Sequence, residues 1–159
     1  MDWKSLFLNA DGRIGRRDFW IAWLMLLVAN VVLFFIPGIG HFLMLVLIWP
    51  SICIYSKRLH DMGRTAWLQL FPVAVSFAAL VIAMVVGGVA VVSLALHSDG
   101  GPGFGALLLP LGLTGLVMLL ANIGFLVWVG ITPSQAGPNA YGSPPVSLTQ
   151  PPPAAGTLP

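Results

Sequence analysis

Residues 12–36 read GRIGRRDFWIAWLMLLVANVVLFFI. A short basic run opens the stretch, and the 18 residues from Phe19 to Ile36 that follow carry no charge. At 1.5 Å per residue, that run forms a helix of about 27 Å, close to the thickness of a bilayer's hydrocarbon core. Phe19, Trp20 and Trp23 gather at its basic end, where an aromatic belt would sit. The run is longer than the apolar region of a usual signal peptide. Ile36-Pro37-Gly38-Ile39-Gly40 offers no small-residue cleavage site. The sequence therefore predicts an uncleaved membrane span over 19–36.

The rest of the chain repeats the pattern. All seven Lys and Arg residues fall in two clusters: Lys4, Arg13, Arg16 and Arg17, then Lys57, Arg58 and Arg64. Charged residues make up 8% of the 159 positions, against about 25% in a soluble domain. So much apolar surface needs lipid to cover it. A nucleic-acid binder would show a basic face on a polar body, which this composition excludes. The single cysteine, Cys53, lies in an apolar run and supports neither an intramolecular disulfide nor a thiolate metal site.

Three further spans are predicted, over 40–57, 70–96 and 106–131. Pro37-Gly38-Ile39-Gly40 is a tight turn between the first two. Pro50, inside the second, predicts a kink. That helix can continue through Ser56-Lys57-Arg58-Leu59-His60-Asp61, with Gly63 as its stop and Thr65 as the next N-cap. The 31 apolar residues 66–96 are too long for one perpendicular span, so Ala66 to Phe71 are expected at the interface. Ala79, Ala83 and Gly87 form a small-residue ridge suited to packing within the chain. Pro110 falls in the first turns of the fourth span.

Two shorter segments flank the spans. Trp3, Leu6 and Phe7 have the spacing of a short amphipathic helix, or else belong to a frayed terminus. Residues 132–159 hold eight prolines and no charge, which predicts an extended or disordered tail without P-x-x-P spacing. The expected fold class is thus an all-α integral membrane protein. It comprises a four-span helical bundle (1–131) with a short N-terminal interfacial segment, and a Pro-rich tail (132–159). Both basic clusters lie an even number of spans apart, so the positive-inside rule puts both, and both termini, in the cytoplasm.

The chemistry-bearing residues collect at that face. Arg58 and Asp61 are i, i+3 and Lys57 and Asp61 i, i+4, so the carboxylate can pair locally. His60 lies beside them. With Arg13, Arg16, Arg17 and Asp18 they make a surface able to hold an anionic headgroup, a phosphate or an acidic partner. The plainer reading is a topology anchor laced by ion pairs, such as Asp18 with Arg58 or Arg64, or Asp61 with Arg16. Asn30 and Asn122, inside spans, read as interhelical glue. His41 and His97 make no metal site on their own, and no cofactor fingerprint or catalytic spacing occurs.

The same segments resemble a family. Gly12-Arg13-Ile14-Gly15-Arg16-Arg17-Asp18-Phe19-Trp20 is similar to the opening GRISRREFW pattern of domain-of-unknown-function family 805, small bacterial inner-membrane proteins. Arg58-Leu59-His60-Asp61-Met62-Gly63-Arg64-Thr65-Ala66-Trp67 resembles its RLHDIGRSGWW pattern, and Asn139-Ala140-Tyr141-Gly142 its terminal NRYG. Gly15 stands where the family often has Ser, Leu68 replaces a second Trp, and Ala140 removes a tail cation. The resemblance implies an inner-membrane location and names no activity. It also joins three pieces that the topology puts on one side, which predicts that the tail folds back over both loops. Trp67, Asn139 and Tyr141 thereby join the candidate binding residues.

The function expected from these readings is non-enzymatic, with binding of anionic phospholipid or of a membrane-protein partner at the basic face. A small oligomeric transporter or channel is the alternative, and a headgroup enzyme using His60 and Asp61 a third. The bilayer itself and a second copy of the chain are the other expected partners.

Overall fold

The computed structural model describes residues 3–97 and 105–145. The chain is all-helical, and among the described residues no strand occurs beyond one isolated bridge between Asn139 and Gly142. Its helices are α1 (Trp3–Leu8), α2 (Arg16–Phe34), α3 (Ile39–Val46), α4 (Ile48–Asp61), α5 (Leu70–His97) and α6 (Gly105–Ile131), with a 3-10 turn at Ala66–Gln69. Four stretches are long and apolar enough to cross a membrane: Arg16–Phe34, Ile39–Asp61, Ala66–Ser93 and Leu108–Ile131. Their large side chains are mostly exposed, from Leu24 and Val28 on α2 to Leu119 and Leu120 on α6. Exposed apolar surface on this scale is what lipid covers.

The first span starts at Arg16, three residues before the apolar run, because Gly15 is extended and lets the helix begin inside the basic loop. It stops at Phe34, ahead of Pro37. Gly38 takes a φ of 75°, which turns the chain into α3. A Cβ on Gly40 would run into the Leu33 carbonyl, so glycine is what lets α3 begin hard against the end of α2.

The kink expected at Pro50 appears as a break three residues earlier. Pro50 has no N–H to give the Val46 carbonyl, and α3 ends at Val46. Ser51 then donates to the Leu47 carbonyl at 3.2 Å, and α4 runs on to Asp61 as the sequence suggested.

The chain forms two compact units. One holds the residues up to Leu68 and those from Val129 onward. In it α1 and α2 both pack on α4, and Leu6, Ile14, Phe19, Ala22, Leu26, Cys53, Ile54, Leu59 and Val129 are buried. Phe19 meets Tyr55 edge-to-face with centroids 5.3 Å apart. Gly130 presses on the Trp20 ring so closely that a Cβ there would collide with it.

The other unit spans Gln69 to Trp128. Ala83 and Gly87 of the small-residue ridge are buried in this chain, as expected of an internal packing surface. Asn122 donates to the Ser76 hydroxyl at 3.1 Å, the interhelical bond anticipated for it. Asn30 instead donates to the Leu26 carbonyl of its own helix at 2.8 Å. His97's side chain and residues 98–104, including Asp99, lie outside the described part, as do residues 146–159 of the tail.

Candidate functional site at the basic face

The site begins with the end of α4. Met62 closes the helix and Gly63, at φ 69°, reverses the chain. The Gly63 N–H bonds the His60 carbonyl at 3.0 Å and the Arg64 N–H bonds the Leu59 carbonyl at 2.8 Å. These are the paired bonds of a Schellman stop, and they satisfy carbonyls that the helix leaves open. Thr65 then accepts the Trp67 N–H at 3.2 Å and caps the 3-10 turn.

This stop fixes Arg58, His60 and Asp61 on the last turn of α4. Arg58 and Asp61 are fully buried and form an ion pair, as their i, i+3 spacing allowed. The second partner of Asp61 differs from expectation. Arg13, not Arg16, takes the other carboxylate oxygen, with its Nη2 at 3.1 Å and its Nε at 3.2 Å. Arg16 and Arg17 begin α2 and project as exposed side chains, whereas Arg13 sits in the loop behind Gly12, whose φ of 93° bends the chain toward α4. Asp18 is in the first turn of α2, where a carboxylate complements the helix dipole, and pairs with neither Arg58 nor Arg64.

The tail completes the cluster. Arg13 donates to the Gln135 carbonyl at 2.7 Å, the Gly137 carbonyl at 2.8 Å and the Gly142 carbonyl at 3.2 Å. Arg58 donates to the Val129 carbonyl at 3.1 Å and to the Thr132 carbonyl, while Ser134 donates to Asp61. The Gln135 N–H bonds the Asp61 carbonyl at 2.8 Å, and Asn139 donates to the His60 carbonyl at 2.9 Å. Tyr141 stacks flat on His60, with centroids 3.8 Å apart and planes 4° from parallel. Residues 132–145 thus fold over both loops, as the order of the three matched segments implied.

The arrangement sorts the expected site residues into two sets. Arg13, Arg58, His60, Asp61, Asn139 and Tyr141 belong to an internal lattice, with the Arg13 side chain 1% exposed and His60 9% exposed. His60 Nδ1 is buried without a hydrogen-bond partner among the described residues. Arg16, Arg17, Arg64 and Trp67 are exposed, Trp67 by 77%, and the side chains of the three arginines make no hydrogen bond or ion pair among the described residues. No group of three His, Cys, Asp or Glu side chains able to hold a metal occurs among the described residues.

Several lattice members were not read from the sequence. Ser134, Gln135, Thr132 and Val129 contribute through backbone or a small hydroxyl, and no periodicity marks them. Lys57, 4% exposed, donates to the Ser5 carbonyl, and Trp49 to the Leu8 carbonyl at 3.2 Å.

Residues 7–143 match the sequence profile of DUF805, described as a protein of unknown function. The chain is 46% identical over 80 residues to the uncharacterized protein YiiR of Escherichia coli strain K12, an alignment covering 45% of this chain and 54% of the relative. The YiiR protein of Escherichia coli O157:H7 matches to the same extent. The chain therefore spans about half the length of the curated relatives it matches. No solved structure matches it.

Proposed function

The chain belongs to the DUF805 family, and from that premise we propose that it is a non-catalytic inner-membrane protein whose cytoplasmic face binds anionic phospholipid headgroups. It is a multi-pass membrane protein, and its positive clusters mark the side that would face the cytoplasm. The observation that carries the reading is the division among the arginines. Arg13 and Arg58 spend their donors on Asp61 and the tail, while Arg16, Arg17 and Arg64 are exposed, their guanidinium donors unused among the described residues. A guanidinium offers a planar fork that fits a phosphate, and anionic lipid lies within reach of a juxtamembrane arginine. Exposed Trp67, three residues after Arg64, is the residue type that settles at the headgroup level. Binding is favoured over catalysis because the Asp61 carboxylate is saturated by Arg13, Arg58 and Ser134 and closed to solvent.

The test is the lipid that accompanies the purified protein. Arg16→Gln, Arg17→Gln and Arg64→Gln combined should lower co-purifying phosphatidylglycerol and cardiolipin several-fold by native mass spectrometry. Wild-type retention should fall steeply with salt. Surface changes of this kind move stability by only about 0.5 kcal/mol, so the melting temperature should hold. Equal retention by the variant would refute the reading.

A further inference from the structure

We infer that α1 is inserted into the cytoplasmic leaflet beside α4, presenting its outer face to lipid acyl chains instead of lying on the membrane surface. Two ties hold α1 to α4. Lys57 Nζ donates to the Ser5 carbonyl, and the Trp49 indole N–H donates to the Leu8 carbonyl at 3.2 Å. Between them Leu6 is buried, 4% exposed, on the α4 side.

Both anchoring residues belong to the apolar span Ile39–Asp61. Trp49 comes 12 residues before Asp61, which a helical rise of 1.5 Å per residue converts to about 18 Å from the charged end, near the middle of the span. Lys57 comes four residues before it, about 6 Å away. Since Ser5 meets the shallower anchor and Leu8 the deeper one, α1 runs down α4 toward the membrane interior. The chain then returns through residues 9–15 to bring Arg13 to Asp61.

The chemistry at the tip agrees with that depth. The last carbonyls of a helix lack partners within it, and in hydrocarbon no water supplies them. The Trp49 indole supplies one, at a position where tryptophan is far from the headgroup belt that it usually occupies. Leu8, 63% exposed at the tip, is the side chain that acyl chains would cover, and polar Asn9 and Asp11 appear only as the chain turns back. This inference concerns acyl chains and does not depend on the headgroup reading.

Collision measurements on spin labels test it in the full-length protein, in vesicles of phosphatidylethanolamine and phosphatidylglycerol. Labels go on Leu8→Cys and Asp11→Cys in a Cys53→Ala background, both at exposed positions. The Leu8 label should collide several-fold more with oxygen, relative to a water-soluble nickel chelate, than the Asp11 label. The same ordering should hold in vesicles of neutral lipid, where a headgroup effect vanishes. Adding Trp49→Phe removes the indole donor and should shift the Leu8 label toward the chelate. A Leu8 label as open to the chelate as Asp11 would overturn the insertion, and an unchanged ratio in Trp49→Phe would overturn the indole's part in it.

Discussion

Asp61 carries a charge with no access to solvent, and each of its oxygens is spoken for. Arg58 and Ser134 share one, and Arg13 holds the other. Breaking a buried ion pair by removing one partner costs about 3–5 kcal/mol, far more than losing an exposed charge. Asp61→Asn is therefore expected to lower the melting temperature well below that of Asp11→Asn, whose carboxylate is exposed. Because Arg13 and Asp61 act as a unit, Arg13→Gln and Asp61→Asn should be non-additive, with a coupling of about 1–3 kcal/mol by thermal unfolding in detergent. Additive losses would deny the pair. Half of this cluster was legible in the sequence: Arg58 and Asp61 face each other by helical spacing alone. Arg13 was not singled out as the cross-loop partner, because that depends on the positive φ of Gly12, and nothing in the residue types separates Arg13 from Arg16.

At the scale of elements, punctuation and hydropathy carried most of the reading. The four apolar runs, the stop at Gly63 and the cap at Thr65 follow from length and residue type. The break between α3 and α4 falls at Leu47 because the missing N–H of Pro50 is felt one turn back. Close approaches between elements were not legible. Gly130 lies against the Trp20 ring in the same compact unit, and only the fold reveals it. Gly130→Ala should cost about 1–3 kcal/mol by overpacking, read as a lower melting temperature, while Gly124→Ala, with open space around it, should cost little.

The tail divides the same way. Its lack of charge and apolar period argued against a packed core, yet residues 132–145 are held by carbonyls and amides that composition does not display. Ending the chain after Pro145 should leave stability unchanged. Ending it after Thr132 removes the tail carbonyls that Arg13 holds and the Ser134 hydroxyl on Asp61, and should destabilise strongly. Equal stability of both truncations would contradict the clasp.

For the whole molecule, the two basic loops and the tail meet in one compact unit, and the four apolar stretches fall between them in sequence. Segments separated by about half the chain can join only if they share a side of the membrane. In the orientation proposed from the charge asymmetry, that side is the cytoplasm. The location of the cluster was legible because buried charge is expelled from hydrocarbon and the clusters are spaced by pairs of spans. The central claim is that the tail and both loops share the cytoplasmic side, and labelling of intact cells tests it most directly. In a Cys53→Ala background, a membrane-impermeant maleimide should react with Cys placed at Ser98, and with Cys placed at Ser143 only after the cells are opened. Reaction at Ser143 in intact cells would contradict the account.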